Sequence, residues 1–294
     1  MYDLVDRNKI IEVKYNDDIK YNQLIYVPNL NKDKKVRILV WLHGSILYDN
    51  QYSNIPHQML STIKSICKYC TNTNTIVLTP VLPRNVGKLR LDSQIMSQEV
   101  MIEDLIKDGT NFFTRPDLEL IKMIDLMKLK LNLEGLKYHK KIFIGGVSAG
   151  GLFANRFSLL HPASVDKVAL LLAGDYIYPI SSYKGLTIGY PFGINDIDKI
   201  SDNEFSIDKF KKIPYYLYVG DKDMNDPIEF ELNYDRKLVD RYKLILGKDP
   251  VDRLKEYYKY LKSLQMNVNL DIGKNLGHEV ADESKNKVFN FFMQ

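Results

Sequence analysis

Lys141-Ile142-Phe143-Ile144-Gly145-Gly146-Val147-Ser148-Ala149-Gly150-Gly151-Leu152-Phe153 is the stretch on which the reading of this chain turns. An apolar run, Ile142-Phe143-Ile144, leads through glycines to Ser148, and a helix-like run starts at Gly151-Leu152-Phe153. A strand that turns sharply into a helix with serine at the apex is a nucleophile elbow. Such a turn is tight: the residues two before and two after the serine, Gly146 and Gly150 here, must be small. The serine backbone is then strained, and its hydroxyl stands clear of the sheet.

Outward from the elbow, strand and helix signals alternate. Lys9–Lys14 and Tyr21–Val27 predict a leading antiparallel pair. Val36–Leu42 is almost wholly apolar, as a strand buried on both faces of a parallel sheet must be. Met59, Ile63, Ile66, Cys67 and Cys70 recur at helical spacing, and Thr75–Thr79 returns as a strand. A helix is expected from Pro116 through Leu131, and a strand over Lys141–Ile144. Val165–Leu172, Pro214–Val219 and Val268–Ile272 read as further strands, with helices at Leu254–Leu264 and around Val288–Phe292. The expected architecture is α/β, a mostly parallel sheet with helices on both faces, as one domain over residues 1–294. Two stretches exceed what connections need, 84–115 and 174–213, and are candidate lid or pocket segments.

A serine hydroxyl needs a base to take its proton, a carboxylate to orient the base, and donors for the oxyanion that develops in acyl transfer. On an elbow scaffold these follow in the order nucleophile, acid, base. Of five histidines only His161 and His278 follow Ser148, and His161 comes before any acid. His278 lies on a loop between the last strand and the closing helix, which makes it the expected base. Asp223, three residues past Gly220 at a strand end, is the expected acid, with Asp221 and Asp226 as rivals. His43-Gly44-Ser45 follows a buried strand, so the Ser45 amide is one expected oxyanion donor and that of Ala149 the other. His43 itself is expected to shape its loop. Tyr48, Tyr52, Tyr176 and Tyr178 follow the strand ends nearest the elbow. Tyr48 and Tyr176 are the expected substrate-binding pair, with plain packing as the alternative.

Other classes of function find little support. Forty-one basic and 37 acidic residues are scattered without a basic block, so nucleic acid is not an expected partner. No run approaches the ~18 apolar residues that span a bilayer, so no membrane is expected either. The glycine run at the elbow lacks the G-K-[ST] ending of a phosphate loop. Cys67 and Cys70 have no second pair at zinc spacing and fall on the apolar stripe of their helix, so buried thiols are expected and no metal site. The first residues lack a basic start followed by an apolar stretch, and with sparse cysteine the expected location is cytoplasmic. Nothing in the sequence sets an oligomeric state.

With strand, elbow, His-Gly, G-x-x-D and Gly-His in this order, the chain resembles the α/β-hydrolase superfamily from about Val36 onward. The segment Gly146–Arg156, with His161-Pro162 and Ala173-Gly174 downstream, is similar to the esterase branch that holds polyhydroxybutyrate-depolymerase-like and feruloyl-esterase-like enzymes. The resemblance implies Ser148 as nucleophile, Asp223 as acid, His278 as base, and Ser45 and Ala149 amides as the oxyanion hole. It implies hydrolysis of a small-molecule carboxylic ester through an acyl-enzyme, with no cofactor. The same scaffold also serves serine peptidases and thioesterases, and a non-catalytic ligand-binding homologue is the other alternative. The chain departs from the family in three respects. The extended HGGG motif is reduced to His43-Gly44, the family's secretion signal and disulfides are not expected here, and 55 positions separate acid from base. That interval implies an extra helix around Leu232–Leu246.

Overall fold

The structure is a computed structural model that describes residues 8–46, 57–85, 91–102, 111–200, 205–232 and 235–294. The described chain begins β1 (Lys9–Val13), β2 (Gln23–Val27), β3 (Arg37–Leu42), α1 (His57–Cys70), β4 (Thr75–Pro80), β5 (Arg84–Asn85), β6 (Leu91–Asp92), α2 (Gln98–Met101) and α3 (Pro116–Leu133). The elbow follows, as β7 (Ile142–Val147) and α4 (Ala149–Leu160), then β8 (Val165–Leu171), the short β9 (Ser182–Tyr183) and β10 (Leu186–Thr187), and α5 (Ile207–Phe210). The last part runs β11 (Tyr215–Gly220), α6 (Ile228–Glu231), α7 (Arg236–Leu246), α8 (Pro250–Ser263), β12 (Val268–Gly273) and α9 (Asp282–Met293).

Eight strands form one sheet in the order β1-β2-β4-β3-β7-β8-β11-β12. β1 and β2 pair antiparallel, β2 meets β4 antiparallel, and every pairing from β4 to β12 is parallel. The centre of a parallel sheet must be apolar on both faces. Accordingly β4 and β11 are buried at every position, and β3 at all but Arg37.

β7 runs three residues beyond the expected end at Ile144. Glycine weakens an isolated strand, but β3 and β8 flank Gly145 and Gly146 and pair with both. The same two residues show how the helices lie. A Cβ on Gly145 would approach Phe292 of α9, whereas one on Gly146 would strike Gly150 of α4. Successive residues of a strand face opposite sides, so α9 and α4 cover opposite faces. α1 joins α9, where Tyr69 stacks on Phe289 with ring centroids 4.1 Å apart, and it buries the expected Met59, Ile63, Ile66, Cys67 and Cys70. α8 joins α4 through a 2.9 Å bond from Asn155 Nδ2 to Tyr257 Oη. The helix expected near Leu232–Leu246 is α7, capped by Asp235, which accepts from the Lys237 and Leu238 amides.

The parallel strands all point one way, so the loops after β3, β7, β8, β11 and β12 gather at one edge. His43–Ser45, Ser148, Ala173, Asp223 and His278 lie on those five loops. Among the described residues no helix is long and apolar enough to cross a membrane.

Candidate active site

Ser148 holds φ 56° and ψ −119°, a conformation that L-residues other than glycine rarely adopt and that marks functional turns. Its amide donates to Leu171 O at 2.8 Å, and its carbonyl accepts from the Gly151 and Leu152 amides. A Cβ on Gly146 would stand 2.5 Å from the carbonyl carbon of Gly150, and one on Gly150 would stand 2.5 Å from Leu42 O. Backbone therefore touches backbone on both sides of the serine, which is why those positions hold glycine.

Across the edge, His278 Nδ1 lies 3.0 Å from both carboxylate oxygens of the fully buried Asp223. Two loops are laced together to hold this pair. The Lys222 amide donates to Leu276 O at 2.8 Å, the Leu276 amide to Asp221 Oδ1 at 3.2 Å, and Tyr218 Oη to Glu279 O at 3.0 Å. Gly220 is the crossing point, where a Cβ would run into the Leu276 and Gly277 carbonyls. The rival carboxylates are engaged elsewhere: Asp221 with the Leu276 amide, and Asp226 with the buried Arg253 and with Lys243.

On the third loop His43 is buried. Its Nδ1 donates to Gly44 O at 2.6 Å and its Nε2 accepts from the Leu82 amide at 3.2 Å. Burial pushes its basicity down to about 4, outweighing the bond to Gly44, so the ring is neutral and shapes the loop. Gln94, wholly buried, clamps the same loop: its Oε1 accepts from the Ile46 amide, and its Nε2 donates to Ile46 O and Leu82 O. Gly44, Ser45, Ser148, Ala149 and His278 all line one cleft of about 580 Å³. As the first residue of α4, Ala149 has no intrahelical acceptor for its amide, and the helix presents its positive end at Ser148.

This architecture is shared with solved structures. A poly(aspartic acid) hydrolase-1 from Sphingomonas sp. KT-1 superposes with a TM-score of 0.64 at 16% identity, over 98% of this chain and 100% of that one. A poly(3-hydroxybutyrate) depolymerase from Bordetella parapertussis gives 0.58 at 13% identity, over 97% and 90%. A ferulic acid esterase gives 0.53 at 13% identity, over 97% and 96%. The chain has the α/β-hydrolase fold. No family model matches it, and no curated protein does.

Within that α/β-hydrolase framework the cleft walls differ from expectation. Tyr48 and Tyr52 lie outside the described residues. Tyr176 does not line the cleft: it is buried, and its ring stacks on Tyr257 of α8 with centroids 4.6 Å apart. The segment 84–115 contributes Arg84 and Ile95 to the wall, but none of the described residues of 174–213 is among those lining it. Part of that second segment is drawn into the core instead: the Ile177 amide donates to Asn155 Oδ1, and Phe192 packs on Tyr242.

The wall opposite Ser148 is built by Asn225, Asp226, Pro227 and Phe230. Buried cations hold it in place: Arg156 of α4 binds Glu231 at 2.8 Å, and Arg253 of α8 bonds Gly174 O at 2.7 Å and Asp226. These wall residues carry no periodic signal; Pro227 after an acidic loop and the aromatic Phe230 were the only hints. A second hollow of about 510 Å³ shares Gly44, Val147 and His278 with the cleft and is floored by Trp41 and Phe289. Among the described residues no group of acidic, histidine or cysteine side chains could hold a metal ion.

Proposed function

We propose that the protein is a serine hydrolase that cleaves small carboxylic esters. The observation that carries this reading is the Asp223–His278 pair, 3.0 Å apart, whose histidine lines the same cleft as a strained serine at the elbow. In this mechanism His278 Nε2 takes the proton of Ser148 as Oγ attacks the acyl carbonyl. Asp223 fixes the Nδ1–H tautomer and stabilises the imidazolium that forms. The Ser45 and Ala149 amides hold the oxyanion. Collapse of the tetrahedral intermediate expels the alcohol, which takes the proton from Nε2, and water repeats the sequence on the acyl-enzyme. The two hollows that meet at His278 give separate room for acyl and alcohol portions.

The whole chain, residues 1–294, acts in this reading as one domain. Two buried free thiols, Cys67 and Cys70, favour a reducing compartment, and we place the protein in the cytoplasm. A fluorophosphonate probe should label Ser148 covalently, and the Ser148→Ala protein should stay unlabelled. A folded wild type that resists the probe overturns the catalytic reading. A panel of nitrophenyl esters, acyl thioesters and peptide amides then separates esterase from thioesterase and peptidase by relative kcat/KM.

A further inference from the structure

The base's working nitrogen is already occupied. Asn225 Nδ2 lies 3.0 Å from His278 Nε2, whereas among the described residues the Ser148 hydroxyl forms no hydrogen bond. With Nδ1 facing the Asp223 carboxylate, the neutral ring carries its hydrogen there. Nε2 then offers only a lone pair, so Asn225 must donate to it. The asparagine is not a chance neighbour. Its own amide donates to Asp223 Oδ1 at 2.9 Å, so one residue touches both the acid and the far side of the base. It also lines the cleft together with Ser148.

We propose that Asn225 is a positioning residue that latches the base. At rest its side-chain amide holds Nε2 of His278, and an oxygen acceptor on the bound substrate draws that amide away, leaving the lone pair to Ser148. The proposal rests on the hydrolase reading above. An N–H donor suits a neutral imidazole and opposes an imidazolium. The contact and the Ser148 hydroxyl therefore compete for the one lone pair of the base. Asp223 bonds the ring on its other side, and the other charged side chains lining the two hollows that meet at it are Asp226, Arg84, Glu279 and Lys285. Asn225 variants leave all of them in place.

The test compares wild type, Asn225→Ala and the near-isosteric Asn225→Asp, using a small fluorophosphonate with no acceptor arm to recruit the amide. On the alkaline plateau Asn225→Ala should label about two- to tenfold faster, the range expected for losing one neutral hydrogen bond. Asn225→Asp, whose carboxylate offers no N–H to Nε2, should also label faster than wild type on that plateau. A labelled wild type with neither Asn225→Ala nor Asn225→Asp faster on the plateau sinks the latch alone. A wild type that does not label sinks the hydrolase reading and the latch together.

Discussion

Gly150→Ala sets two physical effects against each other at one atom. Gly150 lies in the first turn of α4, and by helix propensity alone alanine there should stabilise the protein by about 1 kcal/mol. The new methyl, however, would stand 2.5 Å from Leu42 O, 2.6 Å from Leu42 C and 2.7 Å from His43 O. All three are backbone atoms at the end of β3, which is held between β4 and β7, so no side chain can swing aside. Bringing 2.5 Å to an ordinary contact near 3.4 Å requires β3 and α4 to part by about 0.9 Å. Overpacking of that kind costs about 1–3 kcal/mol, toward the upper end where backbone must move. The clash wins, and a net loss of about 1–2 kcal/mol is expected from the urea midpoint. The same displacement separates the Ser148 elbow from the His43–Ser45 loop. Because misplacement by about 1 Å can cost ~100-fold in rate, fluorophosphonate labelling of the folded variant should fall by one to two orders of magnitude. Gly44→Ala is the control: its methyl meets Val147 O at 3.5 Å, an ordinary contact, and should leave stability within about 0.5 kcal/mol. A Gly150→Ala protein more stable than wild type and labelled normally refutes the argument for backbone contact at the elbow.

Ser148→Ala, His278→Ala and Asp223→Asn should each lower kcat/KM by about 10³ or more. The double variants should be little worse than the singles, because the three side chains act as one unit. Arg156→Met should cost about 3–5 kcal/mol, since it leaves Glu231 buried without its cation; adding Glu231→Gln should recover part of that in the denaturation midpoint. Burial, only partly offset by Arg84 and Arg156 respectively, pushes the Asp92 and Asp175 carboxyls up to about 7 from 3.8. The native state then holds these protons more tightly than the unfolded chain. The stability they confer is complete below about 4 and lost as pH rises through about 7, and Asp175→Asn should flatten the decline between about pH 4 and pH 7 in chemical denaturation. Asp117 has the opposite sign. Burial would raise it, but bonds from His161 and Arg115 hold it at about 2, so its contribution is present above 3.8 and lost as pH falls through about 2.

What the sequence made legible was whatever is encoded locally. The apolar runs at Val36–Leu42 and Pro214–Val219 announce buried strands because a parallel sheet tolerates nothing else there. Gly146 and Gly150 announce the elbow because a Cβ at either would enter backbone. Asp223 was separable from Asp221 and Asp226 only by its offset from Gly220, and it is the one of the three that meets His278. The contacts that refine the site are between residues far apart in the chain and leave no period behind. Asn225 and His278 are 53 positions apart, Arg156 and Glu231 75, and Gln94 and Ile46 48. Tyr176 shows the converse error. Its place after a strand end suggested a pocket wall, but a flat aromatic gains more by stacking on Tyr257 in the core than by facing water. An asparagine two residues past the acid reads as a turn former, and the structure puts it there too, with its amide on Asp223. Only the fold brings its side chain to the nitrogen that, in the proposed reaction, must accept the serine's proton. The readable motif therefore names the reactive atoms, while control over when they react is held by residues the motif does not contain.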